Sequence, residues 1–309
     1  MIKKIFSLWF LLMCCSQLVI AQSNGKIISK EKIFYPVYNK VQGIDMYYDS
    51  ATYTLAVQDK SVQTEKIFYK SDGLKVVAYL SLPANLQKKK YPVIIFNRGS
   101  LIRNDIAIVH RPLFQKLVKA GFVVIAPALR QSEGSEGKDE IGGKDVNDIL
   151  NLPPLLSSLP YTDTANIFMW GESRGGIVTF LVLKQGFHVR AAATIGAITD
   201  MELFAKETPG IDEVTKQFIP GFENNKEQLL KDRSVANWAE KINVPVLIMN
   251  GGADPQVKPY HALNLAAKLQ EYGKTYQLMI LEGGNHILSG KHTNERDRQV
   301  TEWFKKYLK

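Results

Sequence analysis

Cysteine is nearly absent from this 309-residue sequence: the two present, Cys14 and Cys15, sit side by side near the amino terminus. Once that stretch is removed no thiol remains, which excludes disulfide stapling, a cysteine nucleophile and thiolate metal sites in the rest of the chain. Basic charge is plentiful but never concentrated. The formal net charge is +9, yet the longest lysine run is Lys88 to Lys90, which is too short for a nucleic-acid groove and reads as solvated surface. No internal repeat and no low-complexity segment occurs. The apolar run Ile5 to Cys15 is too short for a stable membrane span. With Lys3 and Lys4 before it and Val19-Ile-Ala21 then Gln22 after it, it has the layout of a cleavable secretory signal over residues 1–21. The expectation is a periplasmic or secreted chain of net charge +7; a membrane anchor, or a lipid on Cys14 or Cys15, is the alternative.

What the sequence does contain is an alternation of strand-like and helix-like segments. Glu65 to Lys70 and Lys75 to Leu82 flank Ser71-Asp-Gly73, a hairpin signal. Val93 to Phe96, Phe122 to Ala126, Ile167 to Trp170, Ala191 to Ile195, Val246 to Met249 and Thr275 to Leu281 are short apolar runs of the kind that form a parallel sheet buried on both faces. Helical patterns run over 108–120, 145–159, 174–183, 259–272 and 297–308. In the last of these Val300, Trp303, Phe304, Tyr307 and Leu308 keep a core-facing spacing. The pattern predicts one α/β domain over residues 63–309, with a mostly parallel central sheet flanked by helices. Residues 201–241, broken by Pro209, Pro220 and Gly221, read as a short helical cap inserted over the strand ends. Residues 22–62 read as an extension that packs on this domain, with no assignable chemistry.

One stretch organises the rest: Ile167-Phe-Met-Trp-Gly-Glu-Ser-Arg-Gly-Gly176. A buried strand turns sharply into a helix with Ser173 at the corner, and Gly171 and Gly175 leave room where a Cβ would clash. A serine so presented is a candidate nucleophile if a base and an orienting carboxylate follow on later strand ends, in the order Ser, Asp, His. Asn250-Gly-Gly-Ala-Asp254 and Gly283-Gly-Asn-His286 meet that requirement, with Asp254 fixing the tautomer of His286. Asp200 is the competing acid, and Asp145 and Asp148 read as helix-surface residues. His110, His188, His261 and His292 read as bystanders. The expected oxyanion donors are the backbone N–H groups of Arg174 and of Ser100, the latter in the Asn97-Arg-Gly-Ser100 turn.

The spelling Gly171-Glu-Ser-Arg-Gly-Gly176, the Asn97-Arg-Gly99 turn, Gly252-Ala-Asp254 with Val257, and Gly284-Asn-His286 resembles the α/β-hydrolase superfamily. Within it the chain is most similar to the catalytic domain of the prolyl oligopeptidase (S9) family, from about residue 63 onward. The resemblance implies an α/β-hydrolase fold, a Ser173–His286–Asp254 triad, an acyl-enzyme route and a peptide substrate, without metal or organic cofactor. Members of that family usually carry a large β-propeller ahead of the catalytic domain, whereas residues 22–62 alone occupy that place here. The expected site is therefore more open, and hydrolysis of small or carbohydrate-linked esters stays open beside peptide cleavage. A non-catalytic binding protein on the same fold is the third alternative. Arg98, Arg103, Arg130 and Arg174 crowd the predicted edge. Arg98 and Arg103 are candidates for a substrate carboxylate, against pairing with Glu133, Glu136 or Glu172. Neither a nucleic-acid partner nor an oligomeric state is indicated.

Overall fold

Residues along the central strands send alternate side chains to opposite faces, and both faces are apolar. Val93, Ile95, Val123, Ile125, Met169, Val246 and Ile248 pack on one side; Ile94, Phe96, Val124, Phe168, Trp170, Leu247 and Met249 pack on the other. A strand buried on both faces must be covered by helices on both faces. A computed structural model describes residues 24–101 and 105–309; the leader reading at 1–21, Cys14, Cys15 and Arg103 lie outside the described residues.

The strands are β1 (Ile27–Lys32), β2 (Val62–Ser71), β3 (Leu74–Pro83), β4 (Tyr91–Asn97), β5 (Val123–Pro127), β6 (Thr162–Glu172), β7 (Ala191–Ile195), β8 (Val246–Gly251) and β9 (Tyr276–Leu281). They form one sheet of order β1-β2-β3-β5-β4-β6-β7-β8-β9. β1, β2 and β3 run antiparallel to their neighbours, and the strands from β5 across to β9 run parallel. This is the mostly parallel, helix-flanked sheet of the α/β-hydrolase fold. Parallel strands bring all their carboxyl ends to one edge, so the turns after β4, β6, β7, β8 and β9 share a rim. The β2–β3 hairpin closes on Asp72 and Gly73, both left-handed at φ +52° and +81°, as a two-residue hairpin turn with matching twist requires.

Several elements differ from the sequence reading for identifiable reasons. The helix expected over 108–120 is broken at His110 into Ile106–Val109 and Arg111–Lys119, with Pro112 in the first turn of the second piece. The one expected over 145–159 is a 3-10 turn followed by Asn147–Leu150 and Leu152–Ser158, where the pair of prolines after Leu152 can only begin a helix. β6 begins at Thr162 rather than Ile167. The stretch read as a cap forms three helices, Met201–Glu207, Ile211–Phe218 and Phe222–Arg233.

The segment before β2 is woven into the domain. β1 pairs with β2, the helix Ser50–Gln58 follows, and the buried Arg111 stitches the return of the chain. Its guanidinium donates to the carbonyls of Ala56 (3.1 Å), Asp59 (3.0 Å) and Val62 (2.9 Å). Removing these donors strands buried acceptors, so Arg111→Met is expected to cost about 3 kcal/mol in denaturant unfolding and to expose residues 24–60 to protease. A loss below about 1 kcal/mol with unchanged proteolysis would mean that the segment is held by apolar packing alone.

Candidate active site

Ser173 sits between the end of β6 and the helix Arg174–Lys184 with φ +52° and ψ −121°, a conformation that costs an L-residue about 1–3 kcal/mol. The surroundings hold it there. Its N–H donates to the Ile195 carbonyl at 2.9 Å, and its own carbonyl accepts from Gly176 N–H at 2.9 Å. The helix that follows is buried from Arg174 to Leu183. A Cβ on Gly175 would overlap the carbonyl of Asn97, so glycine is what lets the ends of β4 and β6 meet. Asn97 donates to Thr179 Oγ1 at 2.8 Å, and that hydroxyl donates to the Gly175 carbonyl at 2.8 Å, locking turn and helix together.

Asp254 lies in the loop after β8 with its side chain fully buried. Oδ1 accepts from the N–H groups of Gln256 (2.8 Å) and Val257 (3.0 Å); Oδ2 faces His286 Nδ1 at 2.8 Å. A carboxylate can only accept, so Nδ1 donates to it, and in the neutral imidazole Nε2 is the acceptor. His286 is buried on its loop after β9. Ser173 and His286 line the same cavity of about 360 Å³, together with Met46, Tyr47, Gly99, Ser100, Glu172, Pro255, Gln256, Asn285 and Ile287. Asp200, the competing acid, instead caps the helix Met201–Glu207 through Glu202 and Leu203 N–H.

Arg98, Arg174 and Arg130 are engaged by carbonyls and carboxylates of the protein itself. Arg98 is 1 % exposed and donates to the carbonyls of Ala128 (3.1 Å), Gly99 (3.0 Å) and Ser100 (2.9 Å) and to Ser132 Oγ (2.7 Å). It supports the Gly99–Ser100 turn from behind and presents no fork to the cavity. Arg174 reaches the same Ser100 carbonyl at 3.1 Å and is held by Asp139 (2.6 Å) and Asp145 (3.1 Å). Burial pushes the Asp139 carboxyl above its ordinary value, against the pull of Arg174. Arg130 pairs with Asp148 and Asp72. Asp145 and Asp148, read as surface residues, are fully buried, because the broken helix turns both carboxylates inward toward arginines. Arg103 lies outside the described residues.

Clamping the Gly99 carbonyl has a geometric effect on its neighbour. In a trans peptide C=O and N–H point opposite ways, so holding Gly99 O against Arg98 turns Ser100 N–H away from it. The turn lies against the serine: a Cβ on Gly99 would come within 3.2 Å of Ser173 Cβ. Arg174 N–H, in the first turn of its helix, has no intrahelical partner.

The sequence reading missed Met46 and Tyr47 as cavity residues. Met46 ends, and Tyr47 follows, the 3-10 turn Ile44–Met46, whose buried Ile44 plugs into the core. No local pattern marks them.

A sheet of this order with a strained serine, a histidine and a buried aspartate on one rim defines a serine hydrolase of the α/β-hydrolase fold. The prolyl oligopeptidase family model matches residues 111–309, more than half of the chain, and the chain belongs to that family of serine peptidases. It is 28 % identical over 245 residues to uncharacterized peptidase YtmA of Bacillus subtilis, covering 79 % of this chain and 94 % of that one. It is 25 % identical to uncharacterized peptidase YuxL of the same organism, covering 80 % and 39 %. Among solved structures, acylaminoacyl peptidase of Pyrococcus horikoshii superposes with a TM-score of 0.69 at 20 % identity, over 85 % of this chain and 44 % of that one. Dipeptidyl peptidase 4 of Porphyromonas gingivalis gives 0.66 at 20 %, over 82 % and 37 %. The chain thus spans most of YtmA and less than half of the other three.

Two expectations follow. Arg98→Met should lower turnover of every substrate while leaving the preference between free-acid and amidated peptides unchanged; a preference that shifts several-fold would restore Arg98 as a carboxylate ligand. The second concerns His261, fully buried beside Glu207 at 3.8 Å. Burial pushes its imidazole below the ordinary 6.5, with Glu207 and Asp200 opposing. Such a group favours the folded state above 6.5, and that contribution is lost as pH falls below it, because the unfolded chain binds the proton first. His261→Asn should therefore flatten the decline in unfolding free energy between neutral and mildly acidic pH, and an unaltered slope would contradict this.

Proposed function

We propose that this chain is an exported hydrolase that cleaves peptide amides through a Ser173–His286–Asp254 triad. The observation that carries the reading is the 2.8 Å Asp254–His286 contact at a cavity that Ser173 also lines. Ser173 Oγ bonds to the substrate carbonyl carbon as its proton passes to His286 Nε2, and Asp254 stabilises the imidazolium. The oxyanion forms against Arg174 and Ser100 N–H. Collapse expels the amine, which takes the proton from Nε2. Water then attacks the acyl-serine with His286 again as base, releasing a carboxylic acid and free Ser173.

Peptide is the favoured substrate class because the relatives' printed names are those of peptidases. Ester hydrolysis uses the same geometry and is an outcome of the test. Export rests on Lys3, Lys4 and the apolar run after them. Fluorophosphonate labelling is expected in the wild type and absent in Ser173→Ala. Asp254→Asn should keep the fold and lower kcat by about 10⁴-fold. Labelling that persists in Ser173→Ala would remove the assignment, and ester turnover without any cleavage of aminoacyl-prolyl amides would change the substrate class.

A further inference from the structure

The cavity beside Ser173 has one wall that belongs to none of the catalytic loops. We propose that Met46 and Tyr47 form a subsite for an apolar, preferably aromatic, group of the substrate; the proposal rests on the serine hydrolase reading above and deepens it.

Four observations converge on it. Met46 is 57 % exposed although it lines a cavity with the serine, so its side chain is available to a ligand without being used in the core. A flexible, polarizable side chain of this kind adapts to ligand shape and favours aromatic contacts. Tyr47 is set firmly. Its ring stands edge-on to buried His110, centroids 5.3 Å apart, and His110 in turn packs on Phe96 at 4.7 Å. The backbone is fixed as well: Tyr47 and Tyr48 N–H both donate to the Ile44 carbonyl at 2.9 Å, and Tyr38 hydroxyl donates to the Tyr48 carbonyl at 2.9 Å.

The position of this wall is tied to the catalytic loop. Arg296, buried, donates to the Ile287 carbonyl at 2.7 Å and reaches the Tyr48 hydroxyl at 3.5 Å, so one guanidinium spans the residues next to His286 and next to Tyr47. The spacing between wall and base is thereby held. The chemistry of the lining sets the ligand. Met46, Tyr47, Pro255 and Ile287 are apolar surfaces, and among the described lining residues Glu172 is the single charged side chain and no cation occurs. Among the described residues an apolar group meets four partners there, and a carboxylate meets none of opposite charge.

The test compares kcat/KM ratios in matched substrate pairs. One pair is p-nitrophenyl phenylpropionate against p-nitrophenyl acetate, varying the acyl side; the other is benzyl acetate against ethyl acetate, varying the leaving side. Met46→Ala, at an exposed position that the fold does not need, is expected to lower the aromatic-over-small ratio about tenfold in at least one pair. Met46→Asp should lower it further, and Tyr47→Phe should leave it as in the wild type. Ratios unchanged in both pairs for both Met46 variants would overturn the subsite, as would a fall in Tyr47→Phe, which would assign the contact to the hydroxyl. Fluorophosphonate labelling separates the two levels: labelling with unchanged ratios removes only the subsite, and no labelling of wild-type protein removes the nucleophile as well.

Discussion

The site depends first on a steric constraint, the meeting of two neighbouring strand ends. The Asn97 carbonyl at the end of β4 occupies the place where any side chain on residue 175 would begin. Because Gly175 has none, the helix Arg174–Lys184 starts directly beneath the Asn97–Ser100 turn, and Ser173 is left at a left-handed corner that its neighbours enforce. The parallel run of strands does the remaining placement by delivering Asp254 and His286 to the same rim. Strain at the serine is tolerable because the adjoining helix is buried along nearly its whole length, which leaves the corner no room to relax.

Buried charge forms the second layer. Arg98 and Arg174 converge on the Ser100 carbonyl from behind the cavity, and Asp139 and Asp145 hold Arg174 in place. Breaking such a network on one side leaves an uncompensated charge in the interior. Arg98 also holds the Gly99 carbonyl and with it the peptide plane that carries Ser100 N–H, and neither guanidinium is among the described residues that line the cavity.

The central strands were legible because burial on both faces writes them as unbroken apolar runs, as at Val93 to Phe96 and Val246 to Met249. The order of Ser173, Asp254 and His286 was legible for a related reason, since glycine-rich turns mark the strand ends that carry them. β1 was not. Five of the six residues of Ile27–Lys32 are exposed, and the strand exists through its pairing with β2 rather than through a pattern of its own. Arg98 misled because an arginine that satisfies carbonyls and one that awaits a carboxylate look alike in sequence. Met46 and Tyr47 escaped notice because tertiary packing at Ile44 and His110 brings them to the cavity. The break at His110 was hidden by apolar residues on both sides of it.

The direction of synthesis gives the Arg296 clasp a further meaning. The segment bearing Met46 and the corner bearing Ser173 are synthesised before the helix Thr293–Lys306. Until that helix docks, the carbonyl of Ile287 lacks its guanidinium partner and the loop bearing His286 lacks this tether to Tyr48. Under the proposed mechanism a chain in which this helix is undocked keeps its nucleophile but lacks one of the contacts that hold the loop of its base.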